Sequence, residues 1–520
     1  MLLSSLASTL DVHKLLDFAK VLLGVTLSGS FVSVIIYQVV HHAFLHPLAK
    51  YPGPFLAKFT NLYSAYHAWK GDIHTDILRC HERYGIWVRY APNRVLINTA
   101  DGLRDVYGHG APVTKGHSYK VLSARAPNTL TMQDKLQHSR RRRVLSQAFS
   151  EISLRKFEPV MQARIDSLLR VVRGADLQAG QWSEQSNMAH RSAVTHLAFD
   201  TMTALTFDID YRTIEEDEYR FVMDAVEKSN VRLAALWQMP NLTFWGLDRK
   251  LLPESDKAAK RFVLFLRSLM QIRLGEDKAE NNDIFSFLQQ CKDPDTDQHL
   301  TLKDLSTETA TFVVAGVDTS STTMASMAHY LSCTPKAYLK VVEEVRATFG
   351  SVKEIQLGKK LNSCMFLRAC MDEALRLSPP GGGPPWRVID NDKGMTINGQ
   401  FVPSGCEVGC GIYAMQRSPA NWEHPHQFMP ERWTDEVEGR RPYFPFNIGP
   451  RSCVGKPLAI AQIMLTFARL LFELDFERVE EIAGSAANVE TLGAQTIPYV
   501  LRDHVTGQKD GPMLRFCPRL

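Results

Sequence analysis

The chain has 520 residues, of which 45% are hydrophobic and 22% are charged, a composition typical of a globular protein with a large core. Its formal net charge of +4 is too small for a nucleic-acid-binding protein that depends on many phosphate contacts. The nine cysteines are irregularly spaced, which argues against a disulfide framework and favours a reducing compartment. We therefore expect no nucleic-acid partner.

The N-terminal part contains a long uncharged segment, because no charged residue occurs over residues 21–40. Twenty helical residues rise about 30 Å, which matches the hydrocarbon core of a bilayer. The segment is longer than the apolar part of a signal peptide, and no small-x-small cleavage site ends it. We predict an N-terminal tail over residues 1–20 and one transmembrane helix over residues 21–40, rather than a cleaved signal peptide.

A stiff connection follows this segment, in the sequence Tyr-Pro-Gly-Pro at residues 51–54. Each proline fixes its own φ and disfavours helix at the residue before it. This pattern predicts a proline hinge over residues 41–54. No repeat or low-complexity tract interrupts the remaining sequence, so we expect residues 55–520 to form one domain.

Most of this domain has the pattern of helices. Charged amphipathic stretches with N-terminal capping residues dominate residues 130–380, and residues 458–472 are apolar on nearly every side, which indicates a buried helix. Short β-branched segments bounded by turn residues predict strands at 87–90, 94–98, 395–397 and 407–411. The predicted fold class is mainly α with a small β region.

The segment before the buried helix places Cys453 between Gly449 and Gly455. A sulfur at a helix N-terminus, with Arg451 nearby, favours the thiolate form, which binds soft metals. A phosphate-binding loop is excluded, because five residues separate the two glycines and a proline follows Lys456. On these residues alone, a small buried cysteine without chemical function is the alternative.

The string Phe446-x-x-Gly449-x-Arg451-x-Cys453-x-Gly455 resembles the haem-binding signature of the cytochrome P-450 family, the haem-thiolate monooxygenases. The resemblance implies haem b, iron protoporphyrin IX, as the cofactor and Cys453 as the axial ligand of its iron. It also implies that Arg451 contacts a haem propionate and that Phe446 and Gly455 lie at the haem. The domain over residues 55–520 is then the catalytic domain.

Two charged segments fit the same resemblance: Glu-Ala-Leu-Arg at residues 373–376 and Pro-Glu-Arg-Trp at residues 430–433. Residues three apart on a helix share a face, so Glu373 and Arg376 alone predict only a common solvated ion pair. The two segments resemble the Glu-x-x-Arg helix and the Pro-Glu-Arg segment of the family. The resemblance implies a structural cluster of Glu373, Arg376 and Arg432 that supports the haem pocket.

Residues 311–320 read Thr-Phe-Val-Val-Ala-Gly-Val-Asp-Thr-Ser within a long helical pattern. Glycine in a helix interior costs about 1 kcal/mol relative to alanine, so we expect the helix to bend or open at Gly316. Taken alone, the segment is also typical of an ordinary core helix. It resembles the oxygen-binding central helix of the family, which implies proton delivery by Asp318 and Thr319. The residues that are then implied to contact substrate are Thr311, Val314 and Ala315.

A basic run at residues 140–143 follows His138. Such a run is usually a solvated face, but four consecutive arginines on a helix cannot all point the same way. The stretch resembles the Trp-x-x-x-Arg helix of the family, with histidine in place of tryptophan, and implies that His138 and Arg142 bind a haem propionate. Arg387, which follows a Pro/Gly-rich loop, is implied as a further propionate ligand.

The resemblance implies a monooxygenase that inserts one oxygen atom of O2 into an apolar small molecule. The sequence His-Pro-Leu-Ala-Lys-Tyr-Pro-Gly-Pro at residues 46–54 is similar to microsomal members of fungal secondary metabolism, so the implied substrate is a terpenoid, polyketide or alkaloid. No Gly-x-Gly-x-x-Gly dinucleotide fingerprint occurs, so NADPH acts only indirectly, through a separate cytochrome P-450 reductase. We expect that partner to dock near Arg440, Arg441 and Lys456.

The expected location is the endoplasmic reticulum membrane, with a single span and a cytosolic catalytic domain. Two alternatives keep the haem. One is a haem-thiolate isomerase or dehydratase that acts on an oxygenated substrate, against which Asp318 and Thr319 argue. The other is a non-catalytic haem-binding membrane protein.

Overall fold

The computed structural model describes residues 12–123, 126–174, 177–184, 186–188, 193–275, 283–293, 295–434, 442–479 and 496–519. Helices dominate this part of the chain. The α-helices are α1 Val12–Val40, α2 Leu62–Lys70, α3 Ile73–Tyr84, α4 Ala100–Tyr107, α5 Lys135–Gln147, α6 Glu151–Arg173, α7 Val194–Phe207, α8 Phe221–Gln238, α9 Leu247–Leu251, α10 Pro253–Gly275, α11 Ile284–Gln290, α12 Leu302–Ser332, α13 Pro335–Thr348, α14 Lys359–Asn362, α15 Met365–Leu377, α16 Ile412–Met415 and α17 Lys456–Glu473.

The strands are short: β1 Trp87–Ala91, β2 Arg94–Ile97, β3 Val113–Lys115, β4 Ser186–Asn187, β5 Arg387–Ile389, β6 Met395–Ile397, β7 Gln400–Val402, β8 Glu407–Gly409, β9 Leu474–Arg478, β10 Leu501–His504, β11 Thr506–Lys509 and β12 Met513–Pro518. One sheet has the order β1-β2-β8-β5-β3, with β2 and β8 parallel and the other neighbours antiparallel. Strands β10 and β11 form a separate antiparallel hairpin. The mainly α prediction is confirmed, and the four predicted strands correspond to β1, β2, β6 and β8.

Helix α1 begins before the segment that was predicted to cross a membrane. It starts at Val12 and is extended by the five-residue π-helical turn His41–Leu45. The segment Leu16–Leu45 is long and apolar enough to cross a membrane, and its most apolar part is not buried against the rest of the protein. Helix α1 is therefore compatible with a membrane anchor.

Helix α12 runs through the helical body and packs against α7, α15 and α17. The hydroxyl of Thr301 caps its N-terminus by accepting a hydrogen bond from the amide of Asp304, and residues 320–331 are all buried. The helix continues through Gly316 without interruption, so the expected opening there is wrong. A Cβ at Gly316 would lie 2.6 Å from the sulfur of Met202 on α7. The glycine thus allows two helices to approach closely.

Helix α17 is the buried helix that the sequence predicts. It follows Gly455, which occupies the N-cap position, and carries Pro457 in its first turn. Amide groups in the first turn have no hydrogen-bond partner within the helix, so proline, which lacks an amide proton, is tolerated there. Its residues from Ala461 to Leu471 are all buried. The start of α17 and the middle of α12 both contribute to the walls of one cavity.

Candidate active site

The segment before α17 folds into a tight loop that presents Cys453. Gly449 has a φ of +67°, and a Cβ at this position would collide with the carbonyl oxygen of Tyr107. Glycine is therefore required here by both conformation and space. The backbone amide of Cys453 donates to the carbonyl oxygen of Phe446 at 2.8 Å, which closes the loop directly ahead of α17.

Cys453 faces an internal cavity of about 410 Å³. It is the one exposed cysteine of the nine, whereas the others are buried or half-buried. Because Cys453 and its neighbours line the cavity, this exposed surface opens inward. Further walls come from α8, α12, the loop over residues 380–387 and the β10–β11 hairpin.

The pKa of the Cys453 thiol lies above its ordinary value. Burial raises it, and the amides of Gly455 and Lys456 together with the charge of Arg142 offset this effect only in part. The amides at the start of α17 therefore favour the thiolate as expected, with Arg142 rather than Arg451 as a contributing cation, but burial outweighs them. A metal cation bound to the sulfur is what makes a buried thiolate stable.

Four cations line the cavity beside the cysteine loop, and we call them the cationic group: Lys115, Arg142, Arg387 and Arg451. Within the described residues none of them forms a salt bridge with a carboxylate, and their hydrogen bonds go to neutral oxygens. The acceptors are Ser452 for Arg142 and the carbonyls of residues 132 and 133 for Arg451. Arg387 donates to the carbonyls of residues 385 and 386 and to the Tyr119 hydroxyl, and Lys115 donates to the carbonyls of residues 129 and 130.

The members of the cationic group repel one another. Lys115 and Arg387 stand opposite each other on β3 and β5, a cross-strand pairing of like charges that is unfavourable by itself. Burial and the charges of Arg451 and Arg387 lower the pKa of Lys115 well below its ordinary value. Burial and the same neighbours lower the pKa of His138 to about 2, so its imidazole is neutral at pH 7. An anionic group in this cavity relieves these repulsions, and the two propionates of a haem carry the opposite charge that this requires.

The central helix contributes one face to the cavity. Thr311, Ala315 and Thr319 are spaced four residues apart, share a helical face and line the cavity. Val314 and Asp318 lie on the adjacent face and do not belong to the lining. The structure therefore brings two of the three predicted substrate contacts, and one of the two predicted proton donors, to the cavity wall. The four-residue spacing in the sequence could have distinguished the residues on these two faces.

The two remaining residues of the cysteine motif also line the cavity. Phe446 is half-buried, and the ammonium group of Lys456 lies 5.6 Å from the centre of its ring. A Cβ at Gly455 would lie 3.9 Å from the sulfur of Cys453, which is ordinary van der Waals contact. Gly455 thus forms part of the surface beside the sulfur.

Glu373, Arg376 and Arg432 are brought together in one buried cluster. Arg376 donates to both carboxylate oxygens of Glu373, at 2.9 and 2.8 Å, and Arg432 donates to one of them at 3.1 Å. The indole of Trp433 donates to the carboxylate at 2.8 Å. Burial raises the pKa of Glu373, but the charges and hydrogen bonds of Arg376 and Arg432 outweigh it, so the net pKa is lowered.

Several cavity-lining polar residues are not singled out by the sequence, among them Lys115, Asp503 and Thr506. Lys115 occupies a three-residue strand with no motif around it, so only the pairing of β3 with β5 reveals its place. Asp503 and Thr506 flank the tip of the β10–β11 hairpin, and Thr506 is 188 positions from its hydrogen-bond partner Asp318 on the central helix. Burial raises the pKa of Asp503 to about 6.

One cysteine at a helix N-terminus beside a group of cations without carboxylate partners among the described residues fits the site of a haem-thiolate protein. Comparison with known proteins agrees. A family model described as Cytochrome P450 matches residues 50–489. The chain is 42% identical to the cytochrome P450 monooxygenase poxM of Penicillium oxalicum over 499 residues, which cover 95% of this chain and 94% of that protein.

Further relatives extend this finding. The chain is 39% identical to the cytochrome P450 monooxygenase AKT7 of Alternaria alternata, with 98% of this chain and 99% of that protein covered. It is 52% identical to the cytochrome P450 monooxygenase lcsN of Purpureocillium lilacinum, over 63% of this chain and 98% of that protein. The chain belongs to the cytochrome P450 family. It is an oxidoreductase, a haem monooxygenase, and haem is the cofactor that its cavity fits.

Proposed function

We propose that the chain is a membrane-anchored haem-thiolate monooxygenase that inserts one oxygen atom of O2 into an apolar small molecule, with electrons from a separate NADPH-dependent cytochrome P450 reductase. The observation that carries the proposal is the shared cavity, which is lined by Cys453, Thr319 and the cationic group. Sulfur, proton-bearing groups and space for a substrate thus meet in one cavity.

The residues divide into those that hold the cofactor and those that handle protons. Cys453 is the proposed ligand of the haem iron, and Arg142, Arg387 and Arg451, with His138 and the newly identified Lys115, are proposed to hold the propionates. When bound, haem supplies the activation of dioxygen. Thr319 and Asp318 are proposed to deliver protons to the cavity. The Thr319 hydroxyl donates to the carbonyl of Ala315 at 2.5 Å, which leaves its oxygen free to accept from water in the cavity.

The walls around this space support an apolar substrate. Apolar side chains from several elements line it: Phe149, Met202, Ala234, Trp237, Phe312 and Val505. Such a lining binds by burial of apolar surface, and a few polar groups such as Thr311 orient the ligand. Because the reported relatives come from fungi, we propose a fungal secondary metabolite as the substrate, of terpenoid, polyketide or alkaloid type.

The electron supply and the location complete the proposal. The sequence contains no dinucleotide fingerprint, which supports a separate reductase. Lys456 is exposed near the cysteine loop and offers positive charge to an acidic flavoprotein, whereas Arg440 and Arg441 lie outside the described residues. The apolar helix α1 supports an anchor in the endoplasmic reticulum membrane with a cytosolic catalytic domain.

The test is turnover of the purified holoenzyme with a cytochrome P450 reductase, NADPH and isotopically labelled O2, on an extract of apolar fungal metabolites. We expect products that carry one labelled oxygen atom and that require NADPH. Unlabelled products that form equally without NADPH indicate an isomerase or dehydratase and contradict the proposal. The variant Thr319→Ala should divert NADPH consumption to peroxide, and full coupling in this variant would contradict its proposed role.

A further inference from the structure

The carboxylate of Asp318 is hydrogen-bonded away from Thr319. Within the described residues no hydrogen bond joins the Asp318 side chain to the Thr319 hydroxyl, which donates to the carbonyl of Ala315. Instead, the Oδ2 atom of Asp318 accepts from the hydroxyl of Thr506 at 2.8 Å and from the Nδ2 atom of Asn230 at 3.3 Å. The alcohol that Asp318 contacts therefore comes from the β10–β11 hairpin.

Asn230, Asp318 and Thr506 form a closed triangle of hydrogen bonds, because the Nδ2 atom of Asn230 also donates to the Thr506 hydroxyl at 3.1 Å. The three residues come from α8, α12 and β11. Asp318 is 4% exposed and Asn230 is 5% exposed, and neither lines the cavity. Thr506 does line it. Thr506 is therefore the member of the triangle that borders the cavity.

The position of Thr506 is fixed by backbone contacts that do not depend on its own side chain. The hydroxyl of Thr322 lies 2.7 Å from the carbonyl oxygen of Asp318 and 3.1 Å from that of Gly507, which ties α12 to β11. The amide of Gly507 donates to the carbonyl of Pro380 at 2.6 Å. A polar group held from two sides in this way keeps its geometry without reorganisation during a reaction.

We propose that Thr506 and Asn230 are positioning residues for Asp318, and that the Thr506 hydroxyl connects the Asp318 carboxyl to the cavity. The inference rests on the proposed proton-handling role of Asp318. A hydroxyl can donate to the carboxylate and, at the same time, accept from a water molecule or a substrate in the cavity. Thr506 therefore links an acid that does not line the cavity to the place where protons are consumed.

The test compares Thr506→Val, which removes the hydroxyl at nearly constant volume, with Thr506→Ser, which keeps it. In the holoenzyme with reductase and NADPH, we expect Thr506→Val to form about tenfold less product per NADPH, equal to about 1.4 kcal/mol, with peroxide making up the difference. Thr506→Ser should stay within about twofold of the wild type. Asn230→Ala should give a smaller loss of about threefold, because Thr506 still holds the carboxylate.

A matched control removes a buried hydroxyl elsewhere on the central helix. Thr309 is buried and donates to its own helix at Leu305, and it does not line the cavity. Thr309→Val should leave the product yield per NADPH unchanged. If Thr309→Val uncouples the enzyme as strongly as Thr506→Val, the effect is a general one and the inference fails.

A second measurement reports on the Asp318 carboxyl group itself. Asp318→Asn identifies the infrared carboxyl band of Asp318 in the resting holoenzyme, and Thr506→Val should shift this band while Thr506→Ser restores it. If Thr506→Val leaves both the band and the coupling unchanged while Asp318→Asn uncouples, the inference is overturned and the proposed role of Asp318 stands. If Asp318→Asn itself couples normally, that proposed role fails.

Discussion

Removal of Arg376 should strongly destabilise the fold, because its side chain is buried in an ion pair. The side chains of Arg376 and Glu373 are both 0% exposed. Arg376 makes a bidentate pair with Glu373 and further hydrogen bonds to backbone carbonyls, including that of Gln416 at 2.8 Å. Breaking such a buried pair costs about 3–5 kcal/mol, because the remaining carboxylate keeps its desolvation penalty. Arg432 still contacts Glu373, through a hydrogen bond from its Nε atom to one carboxylate oxygen.

Arg376→Met is therefore expected to lose about 3–5 kcal/mol of the free energy of unfolding. The matched control is Arg155→Met, because Arg155 pairs with Glu151 on the surface, with side chains 61% and 79% exposed. Such a pair contributes about 0–1 kcal/mol. The assay is denaturant unfolding of the holoenzyme followed by circular dichroism. Arg376→Lys should fall between the two variants, because lysine keeps the charge but cannot form the bidentate pair.

The same cluster predicts a pH dependence with a definite sign. The folded-state pKa of Glu373 is below its ordinary value of 4.5, so its ion pairs stabilise the fold fully above about pH 4.5. This contribution is lost as the pH falls through the lowered folded-state pKa. The stability difference between wild type and Arg376→Met should narrow over that range. If Arg376→Met lowers the free energy of unfolding at pH 7 by less than about 1 kcal/mol, as expected for Arg155→Met, the account of the buried cluster is refuted.

Three further predictions test single positions. Gly449→Ala should destabilise the protein by more than Gly399→Ala, because both glycines have left-handed φ but only a Cβ at Gly449 meets a backbone carbonyl; equal unfolding midpoints would contradict this. Asp503→Asn should add about 3 kcal/mol to the free energy of unfolding above pH 6, because burial raises the folded-state pKa of Asp503 to about 6. This gain should disappear as the pH falls to about 3.8. A gain that does not depend on pH would contradict the prediction. Lys115→Met should speed the transfer of haem to an acceptor protein by about tenfold, as expected for the loss of one charge-assisted hydrogen bond. An unchanged transfer rate would contradict the proposal that Lys115 holds a haem propionate.

Local features of the site could be predicted from the sequence because they are encoded within a few residues. The turn at Gly449, the cysteine and the start of α17 follow one another directly, so the spacing defines both the backbone conformation and the place of the sulfur. Glu373 and Arg376 are three residues apart on a helix and pair as that spacing predicts. Whether the pair is solvated or buried depends on the loop that carries Arg432, which the sequence alone does not place.

Contacts between distant segments could not be predicted in this way. The hydrogen bond between Thr506 and Asp318 joins residues that are 188 positions apart. Lys115 enters the cationic group only because β3 pairs with β5. The effect of burial on Cys453 was also missed, because desolvation depends on the enclosing fold rather than on neighbouring residues.

The reduced carbon-monoxide difference spectrum tests the bond between Cys453 and the haem iron most directly. The wild-type protein should show the long-wavelength Soret band of a thiolate-ligated haem. Cys453→His should abolish this band, whereas Cys291→Ser, which changes a half-buried cysteine outside the cavity lining, should retain it. A Cys453→His protein that keeps the band would contradict the assignment of the ligand and the active site built around it.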